Sequence, residues 1–365
     1  MKENKLMKKI LCAVMCVGMA ASLAACGGKA DTKTEAAGTE AAGTEAAGTE
    51  AAGTEAAGTE AAAAEATGEK VTLSLAYQYG LAYAPLIVAQ QNQCIEEAYK
   101  AATGNEVEVN WIQMSSGADI NTGIAAGEIQ VGFMGLGPAI TGVAKNVGYK
   151  IFTNLSGQEH SLMVNDPEIT CAADMIGTDK QIAVVNIGSF QHMILAMGLA
   201  AEGQDPHALD SNLIAMKHPD GMTSLTTGQV AGHVTTSPYL FTEQGDETLH
   251  SIDSVANAWT ADNSFIVGVA ATKLYNEDPE LYTALCDGIK AAMDFINADP
   301  AATAAMTCEF NGNSVEDETA YLQRGKYVPE TKGIGEFAKF MYENAFVEVD
   351  PGEYKDIVFD NVVGD

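Results

Sequence analysis

The sequence predicts an α/β fold divided into two lobes, and three observations carry that prediction. Residues 71–365 form a body of about 295 residues, more than one hydrophobic core usually holds. Three successive strand-like runs each end in a small-residue loop that opens into a helix, as in an open sheet whose ligand loops gather at one edge. The pattern also repeats. TGIAAGEIQVGFMGLGP (Thr122–Pro138) is echoed by TSLTTGQVAGHVTTSP (Thr223–Pro238), each a helix end closed by glycine (Gly127, Gly228), a short strand, and a loop into a proline-initiated helix. The echo is either generic βαβ punctuation or the mark of two similar lobes whose strand-end loops face each other.

Ahead of the body, Met1–Lys9 carries four lysines and one glutamate, Ile10–Ala21 is mostly apolar, and Leu23-Ala24-Ala25-Cys26 follows. This reads as a secretory signal peptide (residues 1–25), its apolar run too short to span a bilayer as a stable helix. It resembles bacterial lipoprotein signals, which implies cleavage before Cys26 and lipid on the Cys26 thiol, an anchor that does not cross the membrane. Residues 26–70 hold five tandem TEAAG units (Thr34–Gly58) and an alanine-rich tail. Recurrent glycine and the lack of large apolar residues predict a solvated tether, with a reach of roughly 35–40 Å as a flexible coil.

Within the body, Val71–Tyr77 alternates as a first strand, Tyr77–Tyr83 is a loop, and Ala84-Pro85 opens a helix with proline in its first turn. Val107–Trp111 is a second strand, followed by Met114–Gly117 and a helix from Ala118. Gln130–Met134 is a third, followed by a loop at Gly135–Pro138 and another helix. Ile182–Val185 is a short, wholly apolar run of the kind a strand covered on both faces shows. Phe190, Met193, Ile194 and Met197 then recur at helical spacing. Between them, Gly188 permits close approach to the backbone and Ser189 is a good N-cap. These residues make either an ordinary capped turn or a cradle of first-turn N–H groups for an anion or polar oxygen. Asn263–Val269 returns to strand, and helices follow at Pro279–Asn297, Pro300–Phe310, Val315–Leu322 and Ile334–Phe346. A late strand with only helices after it implies that the chain crosses back to the first lobe. Residues 71–160 plus 264–365 are assigned to lobe 1 and residues 161–263 to lobe 2, with hinge segments near His160–Val164 and Ala258–Phe265.

The formal charge of −30 leaves about −27 on residues 71–365. That argues against nucleic acid and against electrostatic docking on anionic lipid. Arg324 is the single arginine, so an arginine clamp for a carboxylate or phosphate is not expected elsewhere. Of seven cysteines, Cys94, Cys171, Cys286 and Cys308 belong to the body; no CxxC or Cys/His spacing suggests zinc, and their pairing is undecidable from sequence. His160, His192 and His233 are expected to be surface or hydrogen-bonded histidines rather than ligands.

LSLAYQYGLAYAPLIVAQQ, SSGADINTGIAAGEIQVGFMGLGPAI, ADMIGTDKQIAVVNIGSFQHMIL and the SPY of Ser237–Tyr239, taken in order, resemble the solute-binding proteins of ABC importers for sulfonates, nitrate, taurine and thiamine-precursor pyrimidines. The resemblance covers nearly everything from Val71 onward and implies the two-lobed type II periplasmic-binding fold, each lobe a sheet flanked by helices and joined by a two-segment hinge. Carried over residue by residue, it implies ligand contacts at Tyr77, Gln78 and Tyr79 in the first loop, Ser115, Ser116 and Gly117 in the second, and Leu136 and Gly137 in the third. Lobe 2 would supply Gly188, Ser189, Phe190, Gln191, Ser237 and Tyr239, and the returning strand Asn263 and Phe265. Ser237 stands where many relatives carry an acidic residue, which bears on ligand identity rather than fold.

The function implied is delivery of a small anion to an ABC permease and its ATPase, without cofactor, metal or nucleic acid, by a monomer held to the outer face of the membrane through lipid alone. A neutral or aromatic heterocycle is the alternative ligand, and a sensory surface lipoprotein the alternative role. An enzyme is disfavoured: the fold's pyrimidine-synthesising branch uses a cysteine cluster and a histidine, whereas the four body cysteines are isolated and no nucleophile, base and orienting acid assemble by spacing.

Overall fold

Residues 71–365 are described by a computed structural model; the expected signal peptide (1–25), the lipidation site Cys26 and the tether (26–70) lie outside the described residues. Ten strands make two sheets. The first holds β1 (Val71–Tyr77), β2 (Val107–Gln113), β3 (Val131–Gly135), β4 (Tyr149–Ser156) and β10 (Ile266–Ala271) in the order β2-β1-β3-β10-β4. The second holds β5 (His160–Val164), β6 (Ile182–Val184), β7 (Leu213–Ala215), β8 (Gly232–Thr236) and β9 (His250–Ile252) in the order β7-β6-β8-β5-β9. The orders correspond position by position. β1 is parallel to β2 and β3, and β6 is parallel to β7 and β8, while β10 and β5 occupy equivalent places as the antiparallel strands.

Those two antiparallel strands explain the topology, because each is the first strand laid down after the chain crosses between sheets. The chain crosses once at residues 157–159 and returns through residues 259–265. The expected hinge at His160–Val164 is therefore displaced: HSLMV is buried along its whole length and pairs with both β8 and β9 as β5. A strand paired along all five residues with β8, and over Leu162–Val164 with β9, cannot also bend. The crossing itself is the preceding Gly157–Glu159, where the Gly157 N–H donates to the Lys326 carbonyl at 2.8 Å.

Helices cover both sheets. The first sheet carries α1 (Ala84–Gln91), α2 (Cys94–Thr103), α3 (Gly117–Ala125) and α4 (Leu136–Ala144). The second carries α5 (Phe190–Ala201), α6 (His218–Thr226), α7 (Tyr239–Gln244) and α8 (Asp253–Ala258). After β10 come α9 (Thr272–Glu277), α10 (Pro279–Ala298), α11 (Pro300–Asn311), α12 (Val315–Leu322), α13 (Ile334–Glu343) and α14 (Tyr354–Ile357). Asp278 starts α10 by accepting from the Leu281 N–H at 3.0 Å. Leu281, Leu285, Ile289, Ala292, Met293 and Ile296 then line its buried face, which packs on α1 and α2. The C-terminal helices thus finish on the first lobe.

Two local expectations shift. Gly135–Pro138 is not a loop, since α4 begins at Leu136, whose N–H donates to the Phe265 carbonyl at 3.1 Å. The returning strand starts at Ile266 rather than Asn263, because Asn263 is used in a turn on Thr260. The four cysteines of the described residues are all free thiols. Among the described residues no helix is long and apolar enough to cross a membrane.

Candidate functional site

A cavity of about 460 Å³ lies between the two sheets. Its position follows from the topology: in parallel α/β sheets the loops after the strands collect at the C-terminal edge, and here the edges of two such sheets supply the opposite walls. The first lobe contributes Gln78–Gly80, Ala82 and Tyr83 after β1, Ser115–Ala118 after β2, and Gly135 and Pro138 after β3, with Phe265 and Ile266 at the start of β10 and Phe310 and Asn311 at the end of α11. The second contributes Val185–Gln191 after β6, Lys217–Pro219 after β7, and Thr236, Ser237 and Tyr239 after β8.

Twelve of the sixteen residues expected at the ligand line this cavity: Gln78, Tyr79, Ser115, Ser116, Gly117, Gly188, Ser189, Phe190, Gln191, Ser237, Tyr239 and Phe265. Tyr77, Leu136, Gly137 and Asn263 do not. Tyr77 is buried edge-on against Trp111 with centroids 6.2 Å apart, because the alternation of β1 turns it into the core. Leu136 is fully buried as the first residue of α4. Gly137 serves the contact between lobes instead: a Cβ there would lie 2.9 Å from the Gly188 carbonyl and 3.1 Å from the Phe190 nitrogen. Asn263 sits in the crossing segment.

Five helices of eight or more residues begin at the cavity, where first-turn N–H groups lack an intrahelical acceptor. They are not equivalent. α1, capped by Tyr83, follows directly on a short 3₁₀ turn (Leu81–Tyr83) whose Leu81 carbonyl accepts the Ala84 N–H, and Pro85 has no N–H to offer. In α3 the Ser116 hydroxyl caps Asp119 N–H at 3.2 Å and donates to the Asp119 carboxylate at 2.8 Å, so an internal anion already occupies that positive end. α6 carries Asp220 in its first turn. α4 and α5 carry no acidic residue there, and α4 spends its Leu136 N–H on Phe265. That leaves α5. Gly188 turns into it at φ +77°, and the Ser189 hydroxyl accepts from the His192 N–H at 3.3 Å. His192 locks the same loop, since its Nδ1 accepts from the Gly188 N–H at 3.1 Å while its Nε2 lies 2.9 Å from Asp210. The accepting Nδ1 fixes the tautomer with the proton on Nε2. Burial holds the His192 pKa down.

Phe190 joins the lobes. It stacks on Phe337 at 5.5 Å with ring planes 4° apart, and packs on Phe265 and His160, both with centroids 4.7 Å away. His160 departs from expectation. It is 3 % exposed, neither of its nitrogens has a partner among the described residues, and burial pushes its pKa down to about 3. A neutral imidazole is thereby held among aromatic rings.

Lys217 and His218 lie in the wall unanticipated. Lys217 is the one Lys or Arg side chain of the lining, its ammonium 6.0 Å from the Tyr79 ring centre across the cavity. His218 stacks on Tyr239 at 5.4 Å and approaches Gln191, with Nε2 to Nε2 at 3.4 Å. Behind it, His218 Nδ1 meets His233 Nε2 at 3.0 Å, and His233 Nδ1 meets Glu243 Oε1 at 2.6 Å. Burial drives His218 and His233 down and Glu243 up to about 8. Arg324 is elsewhere, paired with Glu159 at 2.7 and 2.9 Å and stacked on Phe241 at 3.7 Å. Three apolar side chains stand out at the mouth, Tyr79 and Ile187 at 58 % exposure and Phe310 at 62 %. Among the described residues no cluster of three or more His, Cys, Asp or Glu side chains is placed to hold a metal.

A family model matches residues 66–310, most of the chain. The chain belongs to the NMT1-like family. Its body is similar in fold to the periplasmic aliphatic sulphonate binding protein of Escherichia coli, at 17 % identity and TM-score 0.62 over 80 % of this chain and 99 % of that one. It is likewise similar to the alkanesulfonate-binding protein of Xanthomonas axonopodis pv. citri bound to MOPS, at 15 % identity and TM-score 0.65 over 78 % and 97 %. The periplasmic nitrate-binding protein of Synechocystis PCC 6803 matches at 15 % identity and TM-score 0.54 over 68 % and 69 %. The NMT1-like chain therefore has the two-lobed periplasmic-binding-protein fold. No curated protein matches its sequence.

Proposed function

We propose that this NMT1-like protein is the extracytoplasmic solute-binding protein of an ABC importer, closing its lobes over a small organic anion of the sulfonate or taurine kind and delivering it to the permease and its ATPase. The observation that carries this reading is the cavity itself, about 460 Å³, within the range of ligand pockets and lined from both sheets. A nitrate-like ion alone would leave most of it unfilled. The α5 N-terminus and Lys217 favour negative charge, and hydrogen bonds to a charged ligand contribute on the order of 1.5–3 kcal/mol each. In this reading Gln78, Tyr79, Ser115, Ser116, Gly117, Gly188, Ser189, Gln191, Ser237, Tyr239 and Phe265 contact the ligand, Lys217 and His218 join them, and Phe190 chiefly seats one lobe on the other. The lobes divide as residues 71–159 plus 264–365 and 160–263, His160 going with β5 of the second sheet. Attachment through lipid on Cys26 and the 26–70 tether keeps the monomeric body near the permease.

Tyr79, Tyr83 and Phe310 favour a second ligand class. An aromatic heterocycle such as a thiamine-type pyrimidine or a flavin would stack on them without needing an arginine. A thermal-shift screen of alkanesulfonates, taurine, nitrate, pyrimidines and flavins separates these readings. Stabilisation by a sulfonate supports the first, stabilisation by a heterocycle alone supports the second, and silence across the panel contradicts solute binding of either kind.

A further inference from the structure

We propose that Glu243, His233 and His218 form a proton relay that decides whether the cavity wall presents a hydrogen-bond donor or an acceptor to the ligand. It rests on the solute-binding reading for its purpose, though not for its test. The geometry is a single file. Glu243 Oε1, His233 Nδ1 and Nε2, and His218 Nδ1 and Nε2 follow one another at 2.6 and 3.0 Å, and the last nitrogen faces the cavity beside Gln191 at 3.4 Å. His233 and Glu243 are fully enclosed. α6 presses on the file so closely that a Cβ at Gly221 would lie 2.7 Å from His233 Nε2. Each imidazole can hold only the bonds its neighbours leave it, so the three groups change state together.

With Glu243 ionised, its carboxylate accepts from His233 Nδ1–H, His233 Nε2 accepts from His218 Nδ1–H, and His218 Nε2 is left as an acceptor. One proton reverses the file. It enters from the bulk solvent's acid through the cavity at His218 Nε2; His218 passes its Nδ1 proton to His233 Nε2, and His233 passes its Nδ1 proton to Glu243 Oε1. The sum is one proton taken up, both imidazoles neutral before and after, and the carboxylate converted to the acid. His218 Nε2–H then points at the cavity as a donor. Gln191 can follow either state, because its amide has a donor end and an acceptor end.

The surroundings favour the proton. Glu243 Oε2 is buried without a partner among the described residues, a heavy penalty for a carboxylate and a small one for a carboxylic acid. The elements packed on α7 are α6, β5 and β8; their titratable and charged groups are His218 and Asp220 on α6 with Lys217 at its cap, His160 on β5 and His233 on β8, and His233 is the one bonded to Glu243. Beyond Phe241 stand Tyr321 and Arg324. None of the described groups holds the carboxylate as a formal ion pair except through a histidine whose burial opposes its charge. Near neutral pH the wall is therefore a neutral donor, and the ligand class it takes is one that turns an acceptor toward it, such as a sulfonate or carboxylate oxygen or a carbonyl. Above the Glu243 transition the same wall turns acceptor and gains a negative charge behind it.

The test is long-range proton–nitrogen NMR of the unliganded full chain labelled with nitrogen-15 at histidine, from pH 6 to 10, with His218 assigned by the His218→Asn variant. The expected result is that His218 carries its proton on Nε2 at pH 6 and on Nδ1 at pH 10, with His233 switching at the same midpoint, and that Glu243→Gln abolishes the switch. A His218 tautomer constant across the range, or a switch that persists in Glu243→Gln, overturns the relay. The wild-type spectra decide the matter by themselves if the variant does not fold. A panel of solutes that fails to bind leaves this titration intact, so failure of the transport reading and failure of the relay are told apart.

Discussion

The lobe that carries β1–β3 and the lobe that carries β6–β8 offer the cavity the same three strand-end loops, yet fill them differently. The first presents Tyr79, Tyr83, two serines and a glycine, and closes the positive end of α3 with its own Asp119. The second leaves the end of α5 free of acid and brings Lys217 together with His218, His233 and Glu243. A shared topology fixes where groups stand, and the residues at those places fix their chemistry. One wall suits the carbon body of a ligand; the other suits its polar head.

Breaking the join between the walls has the largest expected effect. Phe190→Ala removes a ring packed on Phe265, Phe337 and His160. It should cost about 3–5 kcal/mol, read as a lowered midpoint in urea unfolding. Gly137→Ala acts at the same seam with less loss of core. Its Cβ would meet the Gly188 carbonyl at 2.9 Å, so the lobes must part, and small-angle scattering should give a larger radius of gyration than wild type at little change in stability.

The titrating wall predicts a pH signature. Burial raises Glu243 from an ordinary value of 4.5 to about 8, so the folded chain binds its proton more tightly than the unfolded chain does. Stability from this group is full below about pH 4.5 and is lost as pH rises toward 8. His160 and His233, held down to about 3 from 6.5, act in the opposite sense: their stability is present above pH 6.5 and is lost as pH falls toward 3. Glu243→Gln should remove only the part of the fall in unfolding free energy that lies between about pH 4.5 and 8. A fall unchanged in the variant would assign it to other groups.

The smallest effects compare the caps. Ser116→Ala and Ser189→Ala should each cost about 1 kcal/mol in denaturant unfolding, since each hydroxyl caps one helix. Only Ser189→Ala should also lower the thermal shift given by an anionic solute, because α3 is already partnered by Asp119.

The parts of the fold legible in the sequence were those with a period or a cap. β1 was readable over Val71–Tyr77 from its alternation, and α5 from the helical spacing of Phe190, Met193, Ile194 and Met197 and the serine that caps it. Three-residue strands such as β7 and β9 have no period to read and exist because a neighbouring ladder holds them. Glycine and serine placed most of the site, since turns and caps need those residue types. The relay has no signature in the sequence because its members come from α6, β8 and α7, and tertiary packing rather than spacing joins them. His218-Pro219 did carry a signal: a polar residue at a helix start after a strand, the same place that Gly188-Ser189 holds one unit earlier.

The central claim is that the two walls close together on one small organic solute. Titration calorimetry of the full chain against 1-butanesulfonate, taurine and a thiamine-type pyrimidine tests it most directly. The account predicts saturable one-to-one binding for at least one of them, weakened by Gly137→Ala. No heat from any of the three, or a binding curve that Gly137→Ala leaves unchanged, would contradict it.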